Sequence, residues 1–300
     1  MPNTLAHIGI NGLLTRSVMK KSDLFWIYFG TIIPDIPWII QRLVQTFSPS
    51  TDGFDLRLYV IVQATLLFSL ILSLIFSFLT DATKRTFLIL AFGSLLHLLI
   101  DSFQIKWANG VHLFAPFNWE LLNFGLFWPE SLPTYILTFS GIVYFIFNWN
   151  TLRTQKLNLK FNSVKFSISF LLLFIYLLTP FYFMSHVEEA NNHFIKTLRK
   201  ENNRAGKFVE FDRKKIEFNE LTNQYSIQTF DKSFIPVEGI SRVSANKISL
   251  RGKFIDNKTI KVIDYHEHIV WFRDGASYIG LILVLIAGVL KLKYFDIAKH

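Results

Sequence analysis

The most chemically informative residues of this sequence are a histidine and an aspartate that lie four positions apart inside an apolar stretch. His97 and Asp101 are separated only by Leu-Leu-Ile. This spacing places two side chains on one face of a helix, about one turn apart. One imidazole and one carboxylate in that arrangement can bind a divalent cation. Because ionisable groups in apolar segments are costly to bury, the pair is a candidate part of a metal site.

Two further polar residues lie in apolar surroundings nearer the N-terminus. Asp35 lies between Pro34 and Pro37, which interrupt helical hydrogen bonding, and a membrane tolerates such a break only where the chain lines a polar cavity or is buried in protein. His7 lies in a short apolar segment, and the chain contains no Cys, so a metal would need His, Asp or Glu ligands. Zinc is the expected ion. The predicted metal ligands are therefore His7, Asp35, His97 and Asp101.

Each of these residues also has a purely structural interpretation. A single buried His is more often a packing residue than a ligand. Asp35 could cap the half-helix that follows the proline break, and Asp101 could mark a helix end at the membrane interface. The metal-binding hypothesis depends on the four residues meeting in one layer of the membrane.

A second group of histidines lies near the C-terminus. His266 and His268 are two positions apart, so on a strand both imidazoles point to the same face. Two such side chains can bind zinc, although the sequence shows no third ligand, and an exposed or structural role is the alternative. His186 and His193 could approach them in the fold. Together with His112, the pair His266 and His268 are possible additional metal ligands.

Long apolar segments would carry the first group of residues into a membrane. Of the 300 residues, 51% are hydrophobic and 32 are Phe, which is more apolar than a soluble fold requires. A helix needs about 20 apolar residues to cross the hydrocarbon core. Segment 24–44 has this length but contains the proline break, and segment 4–14 is short. The five predicted spans are 58–79, 86–103, 134–149, 166–184 and 276–292.

The positive residues predict an orientation. Basic clusters occur at 16–21, 84–85, 153–165 and 291–293, beside alternate ends of the apolar segments. The positive-inside rule places these clusters in the cytoplasm and segment 185–274 on the opposite side. The expected location is an integral protein of a bacterial inner membrane with seven insertions. The net charge of +9 is divided among these short clusters, so a nucleic-acid partner is not indicated.

Segment 185–274 differs from the rest of the chain. After a polar helical start, apolar and polar residues alternate, as in 208–211, 215–218, 225–228 and 259–263, which predicts short antiparallel strands. The predicted fold is a mainly α polytopic membrane helical bundle with a small extracytoplasmic β-rich domain inserted before the last transmembrane helix. Its expected divisions are a membrane helical domain at 1–184, the β-rich domain at 185–274, and a final transmembrane helix with a short cytoplasmic tail at 275–300.

The order of four short motifs in the first 120 residues or so resembles the predicted membrane-bound metal-dependent hydrolases. It is also similar, more weakly, to the zinc-dependent phospholipase C group. The motifs are Thr4-Leu5-Ala6-His7, Gly30 followed by Pro34-Asp35, His97 with Asp101, and segment 110–117. One element departs from the pattern: such hydrolases usually carry a His-Arg and a Thr-His-Ser between the Pro-Asp and the His-Asp helix, whereas Gln41-Arg42 and segment 48–53 contain no His. Asp52, Asp55 or His112 could substitute.

Two functions from different classes follow. The first is a membrane-embedded, metal-dependent hydrolase acting on a lipid or lipid-linked substrate, with a phosphoester as the expected group. The second is a non-catalytic membrane scaffold whose extracytoplasmic β-domain binds a partner. The lost His element favours the scaffold, and the grouping of four candidate ligands favours the hydrolase. Membrane lipid is the expected partner in both, and the sequence predicts neither the substrate nor the oligomeric state.

Overall fold

A computed structural model of the chain describes residues 3–155, 159–160 and 162–292. The protein is about 57% helical and carries a five-stranded sheet domain. Lys156, Lys293 and the predicted cytoplasmic tail lie outside the described residues. The α-helices are α1 Thr4–Val18, α2 Leu24–Ile32, α3 Ile36–Phe47, α4 Gly53–Gln63, α5 Leu66–Ser77, α6 Thr83–Ser102, α7 Leu132–Phe147, α8 Trp149–Thr154, α9 Ser163–Ala190, α10 Ile195–Arg199 and α11 Val270–Leu292.

Four helical stretches within the described residues are long and apolar enough to cross a membrane. They are Leu24–Phe47, which joins α2 to α3, and Thr83–Ser102, Ser163–Ala190 and Trp271–Lys291. Three of the five spans predicted as secure are therefore present as single helices of membrane-spanning length. The proline-broken segment 24–44 also reaches that length.

The other two predicted spans differ from the expectation. Segment 58–79 is not one straight helix, because α4 and α5 meet at a bend of 68°. Thr65 adopts extended backbone there and begins α5, which ends the hydrogen bonding of α4. Segment 134–149 is divided between α7, with 16 residues, and the separate α8. Neither is by itself a straight helix of about 20 residues.

Helix α9 is the least buried of the four helical stretches that could cross a membrane. It is 28 residues long, and only 17% of its apolar window is buried inside the protein. Such a continuous apolar surface is compatible with a membrane span. The helix ends at Ala190 and α11 begins at Val270, so both predicted domain boundaries, at 184 and 274, fall inside helices.

Glycines bring the helices around the candidate site into close contact. α1 packs against α7, where a Cβ on Gly9 would lie 2.6 Å from Gly141 Cα and one on Gly141 would clash with Leu5 O. α2 packs against α6, and a Cβ on Gly30 would lie 3.2 Å from Leu90 Cα. Small residues permit this approach of two backbones. The approach fixes α1, which carries His7, relative to its neighbours.

The β-rich domain is a closed barrel, and the predicted strand-rich character is confirmed. Around the barrel the strands are in the order β1-β2-β3-β5-β4, with β3 and β5 parallel and every other pair antiparallel. β4 returns to lie beside β1, which is a Greek key, and OB folds share this five-stranded architecture. The strands are β1 Phe208–Asn219, β2 Gln224–Gln228, β3 Phe234–Glu238, β4 Lys247–Phe254 and β5 Ile260–Glu267.

The barrel is joined to the connection between α6 and α7 by polar contacts. Ala108 N donates to Glu210 Oε2 at 2.8 Å, and Asn109 Nδ2 donates to Asp212 Oδ2 at 3.0 Å. The Arg251 guanidinium lies 4.4 Å from the centre of the Trp107 ring. These contacts place β1 and β4 over the end of α6 that carries Asp101.

Candidate metal centre

The structure brings the four predicted ligands together in one buried group. His7 Nε2 lies 3.3 Å from Asp101 Oδ1, and His97 Nε2 lies 3.5 Å from Asp35 Oδ1 and 3.9 Å from Asp101 Oδ2. The two imidazole rings stack with centres 3.8 Å apart and planes 8° apart. The least buried of the four side chains, Asp35, is 13% exposed. Their convergence agrees with the prediction, while metal binding itself stays a prediction.

Local structure sets the position of each side chain. Asn3 caps α1 by accepting from Ala6 N at 3.0 Å, and its amide donates to Thr138 Oγ1 of α7 at 2.7 Å. His7 therefore projects from the first turns of a helix fixed at its start. Asp35 ends the 3-10 turn Ile33–Asp35 that joins α2 to α3. The proline break thus places this carboxylate opposite α6, which supplies the other two residues.

A backbone carbonyl fixes the tautomer of His97. Its Nδ1 lies 2.6 Å from Thr31 O, and because a carbonyl can only accept, the proton is on Nδ1. The lone pair of Nε2 then points toward the Asp35 and Asp101 carboxylates. A lone pair facing anionic oxygens requires a cation or a second proton between them. Histidines that bind metals commonly donate their other N–H to a carbonyl in this way.

Several polar atoms of the group have no hydrogen-bond partner although they are buried. They are both ring nitrogens of His7, Nε2 of His97, Oδ1 of Asp101 and Oδ1 of Asp35. Buried polar atoms are nearly always satisfied, so a group of unsatisfied ones needs an explanation. Zinc bonds of about 2.1 Å in tetrahedral geometry separate ligand atoms by roughly 3.4 Å. The separations of 3.3 Å from His7 to Asp101 and 3.9 Å from His97 to Asp101 are compatible with one such ion.

A buried lysine that the sequence analysis missed also contacts the group. Lys106 Nζ lies 2.9 Å from Asp101 Oδ2, and the two side chains are 4% and 7% exposed. The ammonium engages Oδ2 and leaves Oδ1 toward His7. The sequence does show a Lys five residues after Asp101, just beyond the end of α6. The direction of the Lys106 side chain, however, depends on the turn that follows α6.

A polar cavity of about 530 Å³ connects the group to the barrel. Among the described residues, eight Lys or Arg and five Asp or Glu line it, so its charge favours an anion. Lys214 of β1 lies over the Phe230 ring at 3.7 Å. Burial, with a smaller contribution from the charge of Arg57, lowers the pKa of Lys214 to about 7. An amine in this state gains a proton readily when an anion enters.

His266 and His268 lie in a second group, together with Glu130. The third ligand candidate that the sequence did not show comes from the connection before α7, far away along the chain. Glu130 Oε1 lies 2.9 Å from His268 Nδ1, and Glu130 Oε2 lies 3.7 Å from His266 Nε2. Although burial raises it, the neighbouring imidazoles of His266 and His268 hold the pKa of Glu130 well below its usual range. In the described residues, this group and that of His7, His97 and Asp101 are the two whose atoms lie close enough for one ion.

The remaining predicted histidines lie elsewhere. His112 Nε2 is 3.0 Å from His193 Nε2, and His193 Nδ1 donates to Ala108 O at 2.9 Å. His193 therefore pairs with His112 instead of with His266 and His268. Burial lowers the pKa of His112 to about 4, so the pair is neutral. It connects the segment after α9 to the connection after α6.

The carboxylates considered as replacements for the missing His element do not reach the site. Asp52 caps α4 by accepting from Phe54 N and Asp55 N, at 2.7 and 3.0 Å. Asp55 forms an ion pair with Arg199. Both side chains are more than half exposed. Neither is a ligand of the group around His97.

Comparison with known proteins adds no relative. No family model matches the chain, and neither a curated protein nor a solved structure matches it. The likeness to membrane-bound metal-dependent hydrolases therefore rests on the motifs and on the geometry described above.

Proposed function

We propose that the protein is a membrane-embedded, metal-dependent hydrolase whose substrate is a lipid or lipid-linked phosphoester. The observation that carries the proposal is the orientation of His97, whose Nδ1 contacts a backbone carbonyl and whose Nε2 faces two carboxylates inside the protein. Zinc is the ion that this donor set suits best, since imidazole and carboxylate are its usual ligands. A bound divalent cation would lower the pKa of water and polarise a phosphoryl oxygen.

The residues of the group take different roles in this proposal. Donor atoms of His7, His97 and Asp101 all lie within 4.8 Å of one another, which makes them the ligands. Asp35 Oδ1 lies 3.5 Å from His97 Nε2 and has no hydrogen-bond partner. It lines the cavity, where it can accept a proton from the attacking water. Catalytic zinc sites keep three protein ligands and one open position in this manner.

The cavity supports an anionic substrate at a lipid surface. Lys106, Arg57 and Lys214 line it beside the group, and cations stabilise the charge that develops on a transferred phosphoryl group. The apolar surface of α9 and the basic clusters support an integral protein of a bacterial inner membrane. In that orientation the barrel lies outside the cytoplasm, and the cavity beneath it opens to lipid of the outer half of the bilayer.

The test is a comparison of two aspartate variants of the full-length protein in detergent. We expect Asp101→Asn to lose the metal bound at this group, and with it hydrolysis of bis(p-nitrophenyl) phosphate or phosphatidate vesicles. Asp35→Asn should keep the metal and lose at least about 100-fold in rate, the lower range for loss of a general base. Asp81→Asn is the matched control, since Asp81 is 61% exposed and pairs with Lys160. Purified protein that lacks metal, and whose Asp101→Asn variant retains all activity, would refute the proposal.

One observation favours the scaffold function instead. Lys106 already neutralises Asp101 within the protein, which is what a packing role requires. A scaffold predicts that no divalent cation changes the stability of the membrane helices. Thermal unfolding of a Glu130→Gln variant with and without zinc separates the two functions, because this variant lacks the second cluster that contains Glu130, His266 and His268.

A further inference from the structure

We propose that Glu130, His266 and His268 form a second divalent-cation site, one that ties the barrel to the membrane helices. Glu130 lies in the connection before α7, whereas both histidines come from the end of β5 and the turn into α11. An ion held by the three would therefore join parts of the chain that are more than a hundred residues apart. Glu130 and His268 line the same cavity as His97, but this site shares no residue with the group around His97 and does not depend on the proposed hydrolysis.

Two facing atoms of the cluster are unsatisfied. His266 Nε2 and Glu130 Oε2 are 3.7 Å apart, too far for a hydrogen bond, and neither has a partner although both atoms are buried. The Glu130 side chain is only 10% exposed. Donor atoms of all three residues lie within 4.8 Å of one another. A cation between them would satisfy both free atoms.

The hydrogen bonds of His268 direct its other lone pair at the same point. Its Nε2 lies 2.8 Å from Ser249 Oγ, which in turn lies 3.2 Å from Asp212 Oδ1. Because a carboxylate can only accept, the Ser249 hydroxyl donates its hydrogen bond to Asp212. The hydroxyl oxygen then accepts a hydrogen bond from the Nε2–H of His268. The Nδ1 lone pair of His268 is then 2.9 Å from Glu130 Oε1. As at His97, a nitrogen lone pair faces a carboxylate, which requires a cation or an extra proton.

An aromatic ring holds the third ligand in place. Trp128 stacks on the His266 imidazole with centres 3.9 Å apart and planes 5° apart. The stacking sets the plane of the ring, so its Nε2 points toward Glu130. Two imidazoles and one carboxylate are the ligand set of many zinc sites, with a fourth position left for water. The geometry points to Zn²⁺ or a cation of similar preference, such as Co²⁺.

The experiment is a Co²⁺ titration of the full-length protein after chelator treatment, read by visible absorption. Because the chain has no Cys, any signal comes from nitrogen and oxygen ligands. The first group is disabled by combining Asp101→Asn with Lys106→Met, which removes a ligand and its paired cation together. We expect this parent to bind one equivalent of Co²⁺. Adding Glu130→Gln or His266→Gln should weaken binding by more than about 100-fold, beyond the 10 to 100-fold typical of residues that only orient a ligand.

Two further variants separate ligation from a purely structural role. Ser249→Ala should weaken binding by about 10-fold while the spectrum persists, because Ser249 orients His268 without touching the ion. His186→Ala, which removes an exposed histidine, should change nothing. Circular dichroism and elution volume establish that each variant is folded. A folded parent that binds no Co²⁺, or binding that Glu130→Gln and His266→Gln leave unchanged, would overturn the proposal in favour of a proton shared between Glu130 and the histidines.

Discussion

Lys106 distinguishes a packing role from a metal-binding role for Asp101. Its ammonium lies 2.9 Å from Asp101 Oδ2 in a nearly dry environment. In a packing role the two form a buried salt bridge, and loss of one partner leaves an uncompensated charge that costs about 3 to 5 kcal/mol. Lys106→Met retains most of the apolar stem, so the loss is chiefly electrostatic. The scaffold function therefore predicts a destabilised variant with no response to metal.

The metal-binding role predicts a different result for the same substitution. An ion about 2 Å from an Asp101 oxygen would lie roughly 4 to 5 Å from the ammonium. Two unit charges 4 Å apart interact by about 4 kcal/mol at an effective dielectric constant of 20. Water in the cavity and the Asp101 carboxylate reduce this repulsion. We therefore expect Lys106→Met to bind Zn²⁺ at least about 10-fold more tightly, which corresponds to about 1.4 kcal/mol.

The assay is a competition titration with a chromogenic chelator, paired with thermal unfolding in detergent. Lys106→Met should unfold at a lower temperature than wild type without metal and recover when Zn²⁺ is added. The variant Asp101→Asn/Lys106→Met, which has neither charge, should be stable without metal and gain little from it at this site. Glu130→Gln in all backgrounds removes the contribution of the second cluster. If Lys106→Met binds Zn²⁺ no more tightly than wild type, the reasoning about Asp101 is wrong.

Three further outcomes are expected. Gly141→Ala should weaken metal binding although it touches no ligand, because its Cβ would push Leu5, and hence His7, away. Gly275→Ala is the control and should leave metal binding unchanged, since nothing lies within 4 Å of its Cβ. Burial lowers the pKa of Lys214 from 10.5 to about 7 beside Arg57, Asp212 and Asp231. Between these two pH values the unfolded chain binds more protons than the folded protein. The free energy of unfolding should therefore rise with pH from about 7 to 10.5 in wild type but not in Lys214→Met. Reporters fused near Ser233 and after Lys156 should lie on opposite sides of the membrane, and finding them on one side would contradict the orientation.

The grouping of the site could be predicted because helical spacing is a local property. His97 and Asp101 share a face in any helix, and Pro34 with Pro37 marks a break wherever the segment lies. The partners that complete the group are not local. Thr31 O reaches His97 only because Gly30 lets α2 approach α6, and that packing has no signature within either segment.

The barrel illustrates the same limit. Alternation predicted its strands, since each strand has one apolar face, as in Val209 and Phe211. The parallel pairing of β3 with β5 and the closure of β4 on β1 depend on contacts between distant segments. Glu130 likewise could not be predicted as a ligand from the sequence. It lies near His266 and His268 only because β5 packs against the connection before α7. The bend at Thr65 was not predicted because segment 58–79 contains no charged residue, Pro or Gly and is therefore typical of a single span.

The missing His-Arg and Thr-His-Ser element is compatible with a working site. Gln41 and Arg42 occupy the place of the His-Arg pair, and both line the cavity. If the resemblance to those hydrolases holds, the His of that pair is absent and the Arg remains. A set of three ligands, His7, His97 and Asp101, is the number that catalytic zinc sites use, because a fourth protein ligand would close the position that water must occupy. In the proposed hydrolase, a chain without the extra histidines would hold one ion, and Arg42, which lines the cavity, would lie beside the anionic substrate.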